Sequence, residues 1–401
     1  MENIELELAL QLIGETVNEI SSTEKINIEE ARRRIIGEDI YAPINQPPFN
    51  RSPLDGYALR SEDTVGASKN NPIKLKVIDE VFAGGNISTS VKNNEAIRIM
   101  TGAEIPEGAD CVIRQENTNY SMEEVEIYSE LKKYENYCFA GEDVKKGSKL
   151  ISTGEKITYI HIGLLATMGI TEVLVRRKPR LGIISTGDEV IRAGQTLTKG
   201  KIYDSNRIAI SMRLLDFGCE IVSSKIMGDE VYDVSEEIDN LIDKVDAIIT
   251  TGGVSVGKKD IMHEVIKKIN ANRLFWRVRM KPGTPAIYSI YKNTPILSLS
   301  GNPFAAIATF EIMGKELIHN ISGDQDLKQV RIKSSMEDNF LKESKGRRIV
   351  RGVYKNNKVY LPQGGHSSGM MSSMLGCNCL IDIKPGTKQL LKGDKVEIIL
   401  I

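Results

Sequence analysis

Three apolar runs, each followed by a small, polar, glycine-rich turn, dominate the middle of the chain. The runs occupy residues 181–185, 245–249 and 295–299, and the turns begin at Thr186, Thr250 and Ser300. Nearly continuous apolar runs of this length are typical of strands buried on both faces of a parallel sheet. Helical spacing over residues 204–218 separates the first two runs and indicates βαβ units. Ligands bind beyond the carboxyl ends of such strands, which is where all three turns are predicted to lie.

The N-terminal third of the chain contains two kinds of sequence pattern, one helical and one typical of short strands. Apolar residues recur at spacings of four and three from Leu6 to Ile20, which predicts one helix, and Asn27 with Glu30 resembles a capping box for a second helix over 28–36 that Gly37 ends. Prolines and glycines then become frequent, and short strands are predicted at 73–77, 96–100, 110–113 and 125–128. The pattern indicates a small β-domain inserted between helical parts.

The remaining segments fit this arrangement. A turn-rich return at 141–147 precedes a predicted helix over 159–168, which Gly169 ends. Beyond the α/β region, strands are predicted at 330–341, 347–354, 358–361, 380–383 and 395–400. They indicate a separate C-terminal β-domain.

Composition narrows the class of protein. At 401 residues the chain is long enough for three or four domains, and 41% hydrophobic with 27% charged residues is typical of a globular protein. A formal net charge of −1 gives no overall reason to expect nucleic acid or an anionic membrane as a partner. An acidic N-terminus, the lack of a long apolar run and five scattered cysteines favour a cytoplasmic protein with reduced thiols.

Carboxylates follow several of the predicted strands. Asp188, Glu189, Asp229 and Asp260 all lie in loops after strands or near helix starts. Carboxylates gathered at one sheet edge repel each other unless a cation lies among them, and Mg²⁺ shared with substrate phosphates is the usual solution. Helix capping explains each single position as well. The set together indicates a functional site.

Basic residues form two groups. Arg277, Arg279 and Lys281 alternate along one predicted strand and would share one face, and Arg347, Arg348 and Arg351 form the second group. Bases and acids around a glycine-rich loop suit a phosphorylated substrate together with another oxyanion. Basic residues on edge strands also deter aggregation, which is the competing interpretation for the second group.

The glycine-rich turns have their own chemistry. Thr251, Gly252, Gly253, Ser255 and Gly257 form a loop whose backbone could approach an anion closely. Residues 253–257 match GxSxG, but a longer loop intervenes after the strand and no histidine is clearly placed as a base, so the serine is interpreted as a loop donor.

The turn after the third strand is similar in character. In Ser300-Gly301-Asn302-Pro303, Asn302 could cap the helix that Pro303 opens, which explains the turn about as well as ligand binding does. His366 lies in a polar, glycine-rich loop that could touch a ligand or simply turn.

Eight motifs, in order and spread over nearly the whole chain, resemble the molybdopterin molybdenumtransferase family, represented by bacterial MoeA and the E domain of gephyrin. The motifs are Pro47-Pro48-Phe49 through Asp55-Gly56-Tyr57-Ala58, Met100-Thr101-Gly102-Ala103, Gly108-Ala109-Asp110, Gly141-Glu142-Asp143, Ser185-Thr186-Gly187-Asp188-Glu189, Thr251 through Gly257, Lys281-Pro282-Gly283 and Ser300-Gly301-Asn302-Pro303. Each motif alone is weak, and the set in register is specific.

The resemblance implies a multidomain α/β plus β fold. A helical part at 1–44 and 138–177 would be split around a β insertion at 45–137. A central MogA-like α/β domain with a mostly parallel sheet would cover 178–325, and a β-barrel-like domain would cover 326–401. The resemblance also implies a homodimer with its active cleft between subunits.

The implied reaction inserts molybdenum from molybdate into adenylylated molybdopterin, with Mg²⁺-dependent release of AMP. The resemblance implies catalytic roles for Asp55, Asp143, Glu189, Asp229, Asp260 and Lys281, of which Glu189, Asp229 and Asp260 would serve Mg²⁺. Substrate contacts are expected at Thr101, Thr251, Gly252, Gly253, Ser255, Gly257, Arg277, Ser300, Asn302, Arg351 and Ser368. A molybdopterin adenylyltransferase is an expected partner.

The chain departs from the family pattern in ways that bear on anion preference. Asn50 stands where Asp is usual, Arg277 where Lys is frequent, Thr284 where many members have Lys, and Cys138 where Arg is often found. Arginine keeps the positive charge of lysine, but its planar guanidinium can donate two parallel hydrogen bonds, whereas the lysine ammonium acts as a point charge. A tungstate-inserting paralogue, a molybdopterin adenylyltransferase and a non-enzymatic dimeric scaffold are the alternatives. The DGYA segment and the C-terminal β-domain argue against a lone adenylyltransferase, and the lack of a fused second α/β domain argues against a scaffold.

Overall fold

The structure is a computed structural model that describes residues 1–86, 88–255, 260–365 and 367–401. Its strands are β1 (Glu2–Ile4), β2 (Thr23–Asn27), β3 (Ile40–Tyr41), β4 (Gly56–Leu59), β5 (Ile73–Val81), β6 (Glu95–Ile99), β7 (Cys111–Arg114), β8 (Glu124–Ile127), β9 (Lys149–Ile151), β10 (Glu172–Arg176), β11 (Arg180–Thr186), β12 (Val190–Ile191), β13 (Ile202–Tyr203), β14 (Glu220–Met227), β15 (Ala247–Thr251), β16 (Asn272–Val278), β17 (Met280–Lys281), β18 (Ile287–Tyr291), β19 (Thr294–Leu299), β20 (Arg331–Met336), β21 (Arg347–Lys355), β22 (Lys358–Tyr360), β23 (Cys379–Ile383) and β24 (Lys395–Leu400). Its helices are α1 (Leu6–Glu15), α2 (Tyr159–Thr167), α3 (Asn206–Asp216), α4 (Val231–Leu241), α5 (Met262–Lys268), α6 (Pro303–Thr309) and α7 (Lys315–Ser322). A π-helical turn (Phe310–Gly314) joins α6 to α7, and single 3₁₀ turns lie at Ile28–Glu30, Ser61–Thr64, Gln115–Asn117, Gln325–Leu327 and Ser372–Met374.

The chain forms two compact units. One comprises residues 1–24, 33–37 and 174–401, and the other comprises residues 25–32 and 38–173. Within the described residues, no helix combines the length and the apolar character needed to cross a membrane.

A sheet in the order β1-β16-β18-β19-β15-β11-β14 forms the centre of the first unit. The three predicted apolar runs are β11, β15 and β19, which pair in parallel as expected. Ile183 and Ile249 belong to the core on one face, whereas the adjacent Ile184 and Ile248 belong to the core on the other, and all four are fully buried. The sheet is therefore buried on both faces, which explains why its strands show no polar alternation.

The C-terminal part of the first unit is a closed barrel. Strands β20, β24, β23, β21 and β22 pair in a ring, because β21 pairs with both β22 and β23 and β22 pairs with β20. Its interior is apolar and includes Met336, Val350, Val359 and Ile398. The short strand β17 pairs with β21 and so connects the α/β sheet to the barrel. The predicted strand over 330–341 is shorter than expected and ends at Met336.

The second unit contains a mixed sheet in the order β7-β4-β6-β5-β8, in which only β5 and β6 pair in parallel. Four of its strands match the predicted positions. The fifth strand, β4, lies between β7 and β6 and is completely buried. The sequence analysis did not predict it, because prolines and glycines surround it. Gly56 is required there, because a Cβ atom at this position would lie 1.8 Å from the Ile113 carbonyl oxygen. Helix α2 lies where the sequence predicts it, and Thr158 caps it.

The first 44 residues are less helical than predicted. Helix α1 ends at Glu15, so the expected apolar stripe continues beyond the helix. The second predicted helix is wrong: Asn27 does accept a hydrogen bond from the Glu29 amide, but only one 3₁₀ turn follows. Arg33 has a φ of 67°, and a residue in this left-handed region cannot continue a right-handed helix.

Candidate functional site

The glycine-rich turns after β11, β15 and β19 meet at one edge of the sheet. Gly252 has a φ of 96° and donates its amide to the Leu299 carbonyl oxygen at 3.0 Å. A Cβ atom at Gly252 would lie 2.4 Å from the Thr186 carbonyl oxygen, so only glycine permits this approach of two backbones. A Cβ atom at Gly301 would lie 3.6 Å from the Gly252 Cα atom. The three turns are therefore in direct contact.

Beside these turns lies a cavity of about 630 Å³ that we call the acidic cavity. Its lining includes the acidic residues Glu189, Asp204, Asp229 and Asp260. Backbone and hydroxyl groups of the turns complete the wall, among them Thr251, Gly252, Gly253, Ser255, Ser300 and Asn302. The structure therefore brings together the three acids that the sequence assigned to Mg²⁺.

Asp229 is held by a reciprocal pair of hydrogen bonds. The Asp188 amide donates to Asp229 Oδ2 at 3.3 Å, and the Asp229 amide donates to Asp188 Oδ1 at 3.1 Å. Lys201 Nζ, just before β13, donates to the Asp188 carbonyl oxygen at 2.5 Å. These contacts fix the loops after β11 and β14 against each other, so that the Asp229 carboxylate has a defined position in the cavity wall.

Sequence reasoning missed Asp204 and Asn206, which begin helix α3. Asp204 is only 5% exposed and accepts hydrogen bonds from Arg207 Nε at 2.5 Å and from the Arg207 amide at 3.1 Å. Asn206 Nδ2 donates to the Gly301 carbonyl oxygen at 2.8 Å and so supports the turn after β19. The signal was an acid three residues before an arginine at a helix start, which capping alone also explains.

A second cavity, of about 1050 Å³, lies between the α/β sheet and the barrel, and we call it the basic cavity. The cationic side chains of Arg277, Lys281, Lys342 and Arg348 line it. Its barrel side also presents apolar residues, including Phe340, Leu341 and Leu361. Long cationic side chains over an apolar wall suit an anionic ligand that is partly removed from water.

The two cavities share a wall. Ser255, Pro285, Ser300 and Asn302 line both. Asn302 occupies the N-cap position of α6, but its side chain makes no capping hydrogen bond, and its amide donates instead to Ser300 Oγ at 3.3 Å. Capping therefore does not account for the Asn302 side chain, which faces the shared wall.

The prediction that Arg277, Arg279 and Lys281 share one strand face is wrong. Strand β16 ends at Val278, and Arg277 has a φ of 65°, which interrupts the alternation of side chains. Arg277 and Lys281 line the basic cavity, whereas Arg279 forms an ion pair of 2.8 Å with Glu5. A non-glycine residue in the left-handed region costs about 1–3 kcal/mol and is most frequent at functional sites.

Arg351 is buried rather than lining either cavity. It is fully buried, its guanidinium carbon lies 3.6 Å from the centre of the Phe304 ring, and it donates to the carbonyl oxygens of Ser367 at 2.7 Å and Met370 at 2.5 Å. The sequence-based expectation of a substrate contact does not match this position. Arg351 holds the loop of Ser368, and Ser368 itself lines the basic cavity and accepts a hydrogen bond from the Phe304 amide at 2.9 Å.

Three predicted site residues belong to the second unit. Asp55 Oδ1 accepts hydrogen bonds from the Thr101 hydroxyl at 2.6 Å and from the Thr101 amide at 2.7 Å. These two bonds lower the pKa of the Asp55 carboxyl, because they favour its charged form. Asp143 donates its amide to the Gln46 carbonyl oxygen. Gly257 and His366, also expected near ligands, lie outside the described residues.

Family models match three consecutive parts of the chain. Residues 4–169 match the MoeA N-terminal region (domains I and II), residues 182–320 match a probable molybdopterin-binding domain, and residues 333–401 match the MoeA C-terminal region (domain IV). Together with the sheet-edge cavities, these matches define a multidomain protein of molybdenum cofactor biosynthesis.

Sequence relatives extend over most of the chain. A molybdopterin molybdenumtransferase of Staphylococcus epidermidis is 35% identical over 94% of this chain and 90% of that protein. The Haemophilus influenzae protein of the same name is 34% identical over 94% of both chains. A crystal structure of a molybdopterin biosynthesis MoeA protein from Pyrococcus horikosii superposes with a TM-score of 0.87 at 29% identity, covering 99% of each chain.

The chain belongs to the molybdopterin molybdenumtransferase (MoeA) family. It is therefore a transferase that acts in molybdenum insertion during cofactor biosynthesis. The multidomain fold expected from the sequence motifs, with a central MogA-like domain and a C-terminal barrel, is confirmed.

Proposed function

We propose that the protein inserts molybdenum from molybdate into adenylylated molybdopterin in a Mg²⁺-dependent reaction that releases AMP. The observation that carries this proposal is the pair of adjoining cavities, one lined by acidic and one by basic residues, on either side of a wall that contains Ser255, Pro285, Ser300 and Asn302. A substrate with a phosphoanhydride and an oxyanion co-substrate need both kinds of surface next to each other.

The donor set of the acidic cavity fits Mg²⁺ as a shared ion. Within the described residues, no group of three or more metal-ligating side chains converges on a closed metal site. Mg²⁺ usually keeps several waters and binds through one or two carboxylates together with substrate phosphates. One or two of the carboxylates of Asp229, Asp260 and Glu189 would hold the ion in this way, and the ion would neutralise charge on the phosphates during cleavage.

The protein's own groups have separate tasks in this scheme. The carboxylates of the acidic cavity orient the attacking water, and the backbone amides of the glycine-rich turns hold phosphate oxygens. Arg277 and Lys281 attract the oxyanion in the basic cavity, with Arg348 and Lys342 on the barrel side. Ser300 and Asn302, which line both cavities, position the substrate where the two reacting parts meet.

We also propose that the protein acts as a homodimer, in which Asp55, Thr101 and Asp143 contribute to catalysis. An exposed apolar stripe supports a dimer. Ile208, Met212 and Leu215 recur at helical spacing on α3 and are 40%, 53% and 48% exposed. Val222 on the neighbouring edge strand β14 extends this surface. Sedimentation of the wild type and of a Met212→Glu variant tests the proposal, with a dimer expected only for the wild type.

The reaction itself is tested by reconstitution. Purified protein is incubated with adenylylated molybdopterin, Mg²⁺ and either molybdate or tungstate, and AMP release and metal bound to the pterin are measured. We expect AMP release and bound molybdenum, both lost when Mg²⁺ is chelated. Insertion only with tungstate would instead favour a tungstate-inserting enzyme. AMP release at the same rate with and without either oxyanion would contradict the proposal.

A further inference from the structure

We propose that Trp276, the single tryptophan of the chain, is a positioning residue that orients Arg277 towards the oxyanion and connects it to the wall that the two cavities share. This inference rests on the proposed function, because it takes the basic cavity as the oxyanion site. It adds a role for a residue that neither the sequence motifs nor the charges of the cavities single out.

The indole ring is a platform for the Arg277 guanidinium. The guanidinium carbon lies 5.6 Å from the centre of the Trp276 ring, within the range of a cation–π contact. Trp276 is half-buried and lines the basic cavity together with Arg277. A stacked guanidinium loses much of its rotational freedom before the ligand arrives, so its planar fork is already oriented for two parallel hydrogen bonds.

The backbone explains how two consecutive residues reach the same cavity. In a regular strand, neighbouring side chains point to opposite faces of the sheet. Arg277 breaks this rule with its φ of 65°, and its amide donates to the Ala286 carbonyl oxygen at 2.9 Å. The left-handed residue therefore turns its own side chain to the side on which Trp276 already lies. Strained residues cluster at functional sites, and here the strain places a cation over an aromatic ring.

The other edge of the indole is attached to the shared wall. Trp276 Nε1 donates to the Val254 carbonyl oxygen at 3.2 Å. Val254 is almost completely buried, and the next residue, Ser255, lines both cavities. The His263 ring packs edge-on against the indole with centroids 4.4 Å apart, which fixes its orientation further. Trp276 thus connects the cation of one cavity to the loop of the other.

Two separable effects follow from this double attachment. Loss of the ring leaves the Arg277 side chain unrestrained. Oxyanion binding then weakens, and the KM for molybdate rises. Loss of the Nε1–H group alone leaves the platform in place but frees the Val254 carbonyl and the loop beside it, which appears in the kcat of AMP release. A residue that only filled space would change both parameters together or neither.

The test uses the full-length protein and molybdate as the probe. The single tryptophan makes the emission of the wild type a direct signal of an anion at Arg277. We expect molybdate to change this emission in the wild type and in Arg273→Ala, and to change it little in Arg277→Ala. Arg273 is the matched control, because its guanidinium carbon also lies 5.9 Å from the indole centre but the residue does not line the basic cavity.

Calorimetric titration with molybdate compares the variants that lack the ring. Trp276→Leu should bind molybdate about tenfold more weakly, an effect between those of an exposed and a desolvated cation–π contact. The double variant Trp276→Leu with Arg277→Ala should bind no more weakly than Arg277→Ala alone, because the two residues act as one unit. Trp276→Phe should retain molybdate binding but release AMP more slowly, since phenylalanine cannot donate to Val254.

The outcomes separate this inference from the proposed function. Wild-type binding in Trp276→Leu, or additive losses in the double variant, would overturn the positioning role while leaving the proposed function intact. A wild type that neither binds molybdate nor shows an emission change would overturn both. If Trp276→Leu does not fold, as judged by circular dichroism, the emission series and Trp276→Phe still decide the question.

Discussion

The acidic and basic cavities share a wall but are built in different ways. Three acids of the first follow the parallel strands β11, β14 and β15, and hydrogen bonds join neighbouring loops, as with Asp188 and Asp229. The cations of the second come from a broken strand of the sheet and from the barrel. One cavity is a product of sheet topology, whereas the other exists only because the barrel packs beside the sheet. The two should therefore respond differently to mutation.

The largest expected effect is in the acidic cavity. Asp229→Ala should lower AMP release by about 10²- to 10⁴-fold, the range of a positioned general acid or base. Molybdate binding in the adjoining cavity should be unchanged, because Asp229 does not line it. Single-turnover AMP release and calorimetric molybdate titration measure the two properties separately.

A matched control removes a carboxylate elsewhere on the adjacent helix. Glu236 is exposed on α4, and Glu236→Ala should leave AMP release and stability near wild type. Full activity in Asp229→Ala, with the control equally active, would contradict the role assigned to the acidic cavity.

The next effect is in the basic cavity. Lys281→Ala should raise the KM for molybdate by about 10- to 100-fold, since a hydrogen bond to a charged group contributes roughly 1.5–3 kcal/mol. The dependence on Mg²⁺ should stay the same. Steady-state kinetics at varied molybdate and varied Mg²⁺ distinguish the two.

Arg279→Ala is the control for Lys281→Ala. Arg279 alternates with Arg277 and Lys281 in sequence but pairs with Glu5 at the surface, and an exposed ion pair of this kind contributes about 1 kcal/mol or less. A rise in the molybdate KM of Arg279→Ala equal to that of Lys281→Ala would show that overall charge, rather than the cavity, attracts the oxyanion.

How well each cavity could be predicted from the sequence follows from its construction. Glu189, Asp229 and Asp260 were expected at one sheet edge and line one cavity, because the carboxyl ends of parallel strands meet at one edge, which local patterns reveal. Asp204 and Asn206 were missed because their contacts, to Arg207 and to the Gly301 carbonyl, look like ordinary helix capping in the sequence.

The basic cavity was harder to predict. No pattern of side chains reveals that Arg277 has a left-handed backbone, so the expected common face of the three bases was wrong. Likewise, the burial of Arg351 against Phe304 depends on how the barrel packs against helix α6. Local sequence patterns do not predict such a packing contact. Strand β4 was missed for a related reason, because Gly56 serves a close backbone contact rather than a turn.

A glycine next to the shared wall gives a smaller effect that we expect to reach both cavities. Gly252 lines the acidic cavity, and its amide donates to Leu299, which precedes the shared residue Ser300. Gly252→Ala would place a Cβ atom 2.4 Å from the Thr186 carbonyl oxygen in a residue with a φ of 96°. We expect a loss of stability of about 1–3 kcal/mol from backbone strain, together with weaker molybdate binding and slower AMP release. Denaturant unfolding and both assays measure these changes.

Gly194→Ala separates strain from contact. Gly194 has a similar φ of 89°, but a Cβ atom there would meet no atom within 4 Å. This control should lose stability without losing either function. If Gly252→Ala impairs AMP release alone, strain at Gly252 does not reach the shared residue Ser300.

The smallest effect is a pH-dependent signal from His263, whose ring packs against Trp276 of the basic cavity. Burial lowers the pKa of His263, and so does the positive charge of Arg273, while the Ser255 backbone, Asp260 and Glu2 raise it less. Because arginine only donates, the 3.1 Å contact from Arg273 makes His263 Nδ1 an acceptor, which a protonated ring cannot be. The folded pKa therefore lies below the unfolded value of about 6.5. Stability from this group is complete above about pH 6.5 and is lost as the pH falls through the folded pKa.

Trp276 reports this titration, because its ring lies 4.4 Å from that of His263. Its emission should change on acidification with a midpoint below about pH 6.5, and His263→Gln should remove the change. Asp229→Ala should leave the midpoint in place, since it alters only the acidic cavity. A midpoint at or above the ordinary histidine value would mean that the ring is not held neutral by burial and Arg273. A shift in Asp229→Ala would mean that a change in the acidic cavity reaches His263.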